Sequence, residues 1–441
     1  MLMQLSRNAL CVLAVIGMLC AGVASSWAQA LSKTDRDIAQ QMLRNAAADV
    51  KKYYYDPKLH GIDWDAKVRE AQTNIDKADS MDSAVSEIAA LLDGLNDSHT
   101  TFILPPRSYV HKYGFRLRMI GDRCYVIHVR HGSDAEKKGL KAGDQVLAVN
   151  DIPVTRKTLW RIEHIFQYLR PQPGLRLTLS GDDGQKRQLD AMAKMEPSPV
   201  VKYSLNQGIN FEVRDWTEEE ILLEPQYFEK GDDLLAVKIP AFALSAEGVD
   251  RVLGRMRKHK GVVLDLRGNP GGFTETLDRL VGGMFESDLK LYDRVRRDST
   301  KPITVGGRHH DAFTGRLVVL IDSGSASASE LFARIVQLQK RGFVMGDRSA
   351  GMVMEATSYP HEMLVDTALF YGAEITISDL IMTDGKSLEH VGVEPDIMVV
   401  PTAQDLASHR DPVMAKAAGL VGMKLTPEEA GTMFPEKEPK F

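Results

Sequence analysis

The chain is short of cysteine, of charge imbalance and of long apolar runs, and each shortage removes a class of function. Its 441 residues include three cysteines, Cys11, Cys20 and Cys124, from which neither a cysteine metal cluster nor a disulfide framework can be built. Its 55 Lys and Arg and 60 Asp and Glu leave a net charge of −5, with no basic stripe and no polybasic run. That balance speaks against nucleic acid and against anionic lipid as partners. The pairs His309-His310 and His361-Glu362 have no third ligand at useful spacing, so no metal is expected. Neither repeats nor low-complexity tracts occur.

The apolar run at residues 9–24 is short for a membrane span. With Arg7 before it and Ala28-Gln29-Ala30 after it, residues 1–30 read as an export signal cleaved before Leu31. An uncleaved anchor is the rival reading. Lipid attachment at Cys20 fits poorly, because bulky Leu19 precedes it. Loss of the signal leaves Cys124 as the sole cysteine, so no intrachain disulfide is expected. No stable membrane insertion is expected either.

The rest is long enough for two or three domains. Residues 31–102 carry helical spacing: Ile38, Met42, Ala46 and Val50, then Val85, Ile88, Leu91, Leu92 and Leu95 after a cap at Asp82. Between residues 103 and 195 the texture turns to short alternating strands, FRLRM, CYVIHV and QVLAVN, with turns at Gly121-Asp122 and Gly143-Asp144. Residues 195–230, with Pro197, Pro199 and an acidic TEEE run, read as a connector. From Leu234 strands and helices alternate (LLAVKIP, GVVLDL, LVVLI, GFVMG), which predicts an α/β core within residues 196–441, its sheet covered by helices.

Two strand ends in that core carry chemistry, since sites in open α/β sheets form beyond the carboxyl ends of strands. One is Arg267-Gly268-Asn269-Pro270-Gly271-Gly272, whose glycines let backbone approach a ligand. The other is IDSGSASASE at residues 321–330, between an apolar strand and a helix. Ser327 there lies at the positive end of a helix dipole, where backbone N–H groups favour charge developing on a carbonyl oxygen. By itself a run of Ser and Ala is also ordinary close packing and capping, and Asn-Pro-Gly-Gly is ordinary turn chemistry.

The stretch GSDAEKKGLKAGDQVLAVNDIPV resembles the central signature of PDZ domains. This implies a groove taking a peptide as an added strand, with a loop holding the terminal carboxylate at Tyr113, Gly114, Phe115 and Arg116. A closed packing module is the alternative. With LDLRGNPGG and SASASE, the chain resembles the tail-specific and C-terminal-processing serine peptidases and their tricorn-core relatives. The resemblance spans nearly the whole chain after the signal, to GVEPDI at residues 392–397. It implies a ClpP/crotonase-like α/β core with a mixed sheet, an N-terminal helical segment (31–102), an inserted PDZ-like domain (103–195) and a peptidase core (196–441). It further implies Ser327 as nucleophile, with Ser325 and Ser329 in support, and oxyanion donors at Ala328 and Gly271, with Gly272 open as the alternative to Gly271.

At one place the chain departs from the Ser-Lys branch of that family. Where that branch has its lysine base in GERTFGKG, this chain has Gly346-Asp347-Arg348-Ser349-Ala350-Gly351-Met352. Met352 takes no proton, and the Arg348 guanidinium does not deprotonate. Tricorn-type members instead use a serine-preceded histidine and a late glutamate; Asp97-Ser98-His99-Thr100 matches the first, and Ser387-Leu388-Glu389-His390 the second. The expected site is therefore Ser327, His99, Glu389 and Ser98, with Glu394 as the fallback acid and Glu330 read as a helix-start charge. A histidine titrating near neutrality suits the base role.

The expected activity is hydrolysis of unfolded proteins or peptides, recognised through their C-terminal ends, by an exported endopeptidase without a cofactor. A periplasmic and a secreted location fit the signal equally, and homo-oligomerisation is left open. The rivals are a catalytically inactive PDZ adaptor and an apolar-ligand carrier, since the core also resembles interphotoreceptor retinoid-binding modules.

Overall fold

The computed structural model describes residues 31–181, 184–198, 223–364 and 368–434; residues 1–30, expected to be an export signal, and most of the expected connector at 195–230 lie outside them. Three helices, Lys33–Tyr53, Trp64–Lys77 and Met81–Asp93, come first. Each starts at a side chain that accepts an otherwise orphaned N–H: Ser32 from Asp35, Asp63 from Ala66, Ser80 from Ser83. The third cap is thus Ser80 and not Asp82. Ser80 keeps extended backbone angles (φ −149°, ψ 159°), whereas Asp82 lies within the first turn, where its charge complements the dipole. The apolar stripes through Met42, Ala46 and Val50, and through Val85, Ile88 and Leu92, pack together against Tyr371, Ala373 and Ile375 of a long strand, Ala368–Met382.

An antiparallel sheet follows in the order Phe115–Ile120, Arg123–Val129, Gln145–Val149, Gly174–Ser180, Lys186–Met192. Phe115–Ile120 forms one edge of it. A helix beginning at Leu159 sets Leu159, Ile162 and Phe166 on Leu117, Val126, Val146 and Leu177, closing a small core.

The second large sheet has the order Gln226–Lys230, Leu234–Lys238, Gly261–Asp265, Arg316–Ile321, Phe343–Gly346, Ile397–Met398. All its pairings but the first are parallel. Side chains alternate between faces. Leu235, Val237, Val262, Leu264 and Val319 meet the helices Ala246–Met256, Thr274–Gly282 and Ala328–Leu338, while Leu234, Ala236, Val263, Val318 and Leu320 meet Pro412–Val421. Burial on both faces is why these strands are apolar throughout and show no alternation. Val262, Val263 and Leu264 are fully buried, each contributing about 1.5–3 kcal/mol, which makes this strand a rigid mount for the turn that follows it. The strands before the two chemistry-bearing turns, Gly261–Asp265 and Arg316–Ile321, pair directly.

A third sheet joins Thr101–Ile103 to Ala368–Met382 in antiparallel register, Thr101 opposite Glu374 and Phe102 opposite Ala373. That pairing carries the turn at residues 97–100 from the helical segment onto the core. The PDZ-like unit is pinned to the core by Arg118 on Asp322 (2.7 and 2.9 Å) and Arg156 on Asp347 (2.7 Å).

Candidate active site

Because their strands are neighbours, the glycine turn and the serine turn lie side by side. Gly271 has φ +99°, and a Cβ there would sit 2.6 Å from Ser327 Cβ and 2.8 Å from the Ala326 carbonyl oxygen. Only glycine permits that approach and that backbone. Fully buried Asn269 bolts the turns together: its Nδ2 donates to the Ile239 carbonyl (2.8 Å), its Oδ1 accepts from Gly271 N–H (2.8 Å), and its carbonyl accepts from Ala326 N–H and the Ser329 hydroxyl (both 3.0 Å). Ser325 is likewise spent on backbone, donating to the Leu266 carbonyl at 2.7 Å.

Ser327 caps the Ala328–Leu338 helix with φ +54° and ψ −119°. This costly conformation for a side-chain-bearing residue is held in place by the surroundings. Its N–H donates both to the Met352 carbonyl (2.9 Å) and to Glu330 Oε2 (3.0 Å). Its hydroxyl makes no hydrogen bond to a side chain among the described residues. The Ala328 and Gly272 N–H groups have no partner among the described residues, whereas the Gly271 N–H is engaged by Asn269. Of the two glycines weighed from sequence, Gly272 therefore has the free donor, and Gly271 provides the close approach.

Glu330 is far more than a helix-start charge. It is fully buried and accepts four hydrogen bonds: from Ser349 Oγ (2.6 Å), Gly351 N–H (2.7 Å), Met352 N–H (2.9 Å) and Ser327 N–H (3.0 Å). Burial outweighs those four donors and pushes its carboxyl up to about 7. The signal was present in the sequence, since Ser-x-x-Glu before an apolar helix is a capping-box pattern.

The second half of the site comes from remote segments. Ser98 Oγ donates to Glu389 Oε2 (2.9 Å), Ser98 N–H donates to Glu389 Oε1 (2.7 Å), and His99 Nδ1 lies 2.7 Å from Ser98 Oγ. A hydroxyl has one proton. With that proton on the carboxylate, Ser98 Oγ must accept from His99 Nδ1–H, which leaves the lone pair on Nε2. Burial holds the His99 pKa below the usual imidazole value, the Asp97 charge opposing it, and raises the Glu389 carboxyl. Glu394, the fallback acid, is exposed.

A residue without an assigned role in the sequence reading anchors this half. Buried Asp97 accepts from His99 N–H (2.9 Å), Thr100 N–H (2.7 Å), Thr376 Oγ1 (2.6 Å) and the Tyr54 hydroxyl (2.8 Å). The helical segment, through Tyr54, thereby helps to set the histidine turn.

One connected path joins the halves. Ser327 binds Met352, the adjacent Val353 N–H donates to Glu389 Oε2 at 2.8 Å, and Glu389 holds Ser98, which holds His99. Met352, whose side chain takes no proton, thus serves through its backbone. Tyr113, Gly114, Phe115 and Arg116 are not members of this path and belong to the PDZ-like unit. Tyr113 is buried, its hydroxyl accepting from Gln172 N–H at 2.9 Å, and Arg116 is exposed.

A mostly parallel sheet with a strained serine at a helix start, joined through backbone and side-chain hydrogen bonds to a histidine-bearing turn, is the framework of a serine hydrolase. The comparisons say which: residues 233–399 match Peptidase family S41 and residues 102–180 match the PDZ domain. The chain thus carries a peptidase family S41 domain and a PDZ domain, and is a serine peptidase. It is 25% identical over 386 residues to carboxyl-terminal-processing peptidase 3, chloroplastic, of Arabidopsis thaliana, covering 81% of this chain and 68% of that one. It is 26% identical over 327 residues to the tail-specific protease of Haemophilus influenzae, covering 68% of this chain and 43% of that one. The fold is shared with the photosystem II D1 C-terminal processing protease (TM-score 0.51, 20% identity, 82% and 93% covered) and with mature CPAF (TM-score 0.60, 15% identity, 83% and 94% covered).

Proposed function

We propose that this serine peptidase is an exported endopeptidase with a Ser-His-Ser-Glu site, cutting unfolded proteins or peptides that it takes by their C-terminal ends. The observation that carries the reading is the Glu389–Ser98–His99 relay, which leaves a lone pair on His99 Nε2 and needs no lysine. His99 Nε2 takes the Ser327 proton as the hydroxyl oxygen adds to the scissile carbonyl. Gly272 and Ala328 N–H groups receive the oxyanion. Collapse breaks the C–N bond, and the amine leaves with the proton from His99. Water, deprotonated by the same nitrogen, then adds to the acyl carbon; collapse breaks the C–O bond to Ser327, whose oxygen takes the proton back from His99. Ser98 and Glu389 hold the imidazole in its tautomer and stabilise the imidazolium between steps. The features of residues 1–30 support export, and the open edge of Phe115–Ile120 supports peptide addition.

Peptide cleavage read by mass spectrometry tests this on residues 31–441, with Ser327→Ala, His99→Ala and Met352→Lys alongside. Cleavage by the parent, loss in the first two variants and no need for a lysine at 352 are expected. Cleavage that survives His99→Ala would overturn the assignment of the base. Absence of cleavage in every form would return the chain to the adaptor or carrier reading.

A further inference from the structure

A groove of about 1090 Å³ runs between the edge strand Phe115–Ile120, the helix beginning at Leu159 and the core. Neither Ser327 nor His99 lines it, so it is a place for recognition and not for reaction. Tyr113, Gly114, Phe115 and Arg116 close one end, His164, Gln167 and Tyr168 line the helix side, and Gly268 and Asp322 form the core side.

The walls are charged against the character of the chain. Although the protein carries a net −5, seven Lys and Arg line the groove against three Asp. Those three acids are each engaged by a guanidinium at 2.7 Å: Asp322 by Arg118 and Asp411 by Arg267, both among the seven, and Asp347 by Arg156, which is not; Arg107 is paired with Asp82 at 3.0 Å, and the excess rests on the remaining lysines and arginines. Like-signed groups between low-dielectric walls focus their field on whatever enters. A peptide whose terminal carboxylate rests at Tyr113–Gly114–Phe115 would extend along Phe115–Ile120. It would pass Arg116, with Lys112 at the loop that takes the carboxylate, and head towards Ser323, whose hydroxyl donates to the Met119 carbonyl at 2.6 Å and which stands four residues before Ser327. An added strand presents alternate side chains to one wall.

We propose that the groove selects C-terminal segments bearing Asp or Glu upstream of the terminal carboxylate. This deepens, and rests on, the reading of the chain as a peptidase that recognises C-terminal ends.

The test uses residues 31–441 with Ser327→Ala for binding and the parent serine chain for cleavage. The probes are fluorescent peptides that share their last residues and carry Glu, Gln or Lys upstream. The Glu peptide is expected to bind about tenfold tighter than the Gln peptide at low ionic strength, with the Lys peptide weakest. The spread should collapse at high salt, because exposed charges are then screened. Lys112→Glu combined with Arg116→Glu should reverse the order, an outcome that misfolding cannot produce; if that pair fails to fold, Lys112→Gln should narrow the spread instead. Equal dissociation constants, or the Lys peptide binding tightest to the unsubstituted groove, would overturn the proposal. If all three peptides are cleaved with one KM, the acidic preference fails and the peptidase reading stands. If the Glu peptide binds tightest and none is cut, the acidic preference stands and the peptidase reading fails.

Discussion

The two halves of the site are built in opposite ways. The nucleophile half is local: Ser325, Ser327, Ser329 and Glu330 lie within six residues, on a strand and helix packed into the larger apolar core. The base half is remote, since Ser98 and Glu389 stand 291 positions apart and meet through two hydrogen bonds. Rigid packing on both sheet faces lets the first half hold a strained serine. The second depends on whether Thr101–Ile103 docks on Ala368–Met382 and on Asp97, which ties Tyr54, Thr100 and Thr376 to the histidine turn. A local motif can thus be exact in sequence while its partner exists only once the chain has folded.

Substitutions can break this contrast. Ser327→Ala and His99→Ala should each lower kcat by on the order of 10⁴-fold or more. The double variant should fall little further, as expected of groups that act as one unit; additive losses would mean that the halves work independently. Both single variants should keep the parent melting temperature, because neither group carries the packing.

Glu389→Gln comes next, with an expected kcat loss of about 10²–10³-fold and little change in KM, because Ser98 still accepts from His99 but the imidazolium loses its carboxylate. An unchanged kcat in steady-state assays would remove Glu389 from the site.

Glu330→Gln should act on stability more than the other three. An amide cannot accept from both pairs of donors, so at least one buried donor loses its acceptor, costing about 1–3 kcal/mol in denaturant unfolding. It also has a pH signature. Burial raises the Glu330 carboxyl from 4.5 to about 7, so the folded state holds a proton that the unfolded state has lost between those values. The stability this contributes is fully present below 4.5 and is lost as pH rises through about 7, on the order of 3 kcal/mol in all. The variant should therefore show a flatter dependence of unfolding free energy on pH across that window. An identical slope would mean that Glu330 titrates normally.

The smallest effect is expected at Met352. Only its N–H and carbonyl serve the site, so Met352→Leu should leave kcat within about twofold. For the base, burial lowers the His99 pKa. The neutral, proton-accepting form therefore persists below the usual imidazole range, and the limb of kcat/KM assigned to His99 should fall at a pH lower than an exposed histidine would give; a limb at or above that range would point to another base.

Much of this was legible before folding. The apolar strands, the helix faces and the serine and glycine turns follow from short-range patterning, whereas the PDZ domain and Ser98, His99 and Glu389 were named by resemblance. Asp82 was misread as a cap because acidic residues favour both the cap and the first turn, and only backbone angles separate them. Glu330 was undervalued because a carboxylate at a helix start is usually solvated, and nothing local says that the 349–352 loop will close over it.

Local chemistry therefore determined which elements form and where a nucleophile belongs, because periodicity, capping and turn preference act over a few residues. Tertiary structure alone decided that the glycine and serine strands are neighbours and that Gly271 gives its N–H to Asn269 while Gly272 keeps its own. It also decided that a carboxylate 291 residues from Ser98 meets the serine beside the histidine. Such facts depend on distances between segments that no short stretch of chain encodes.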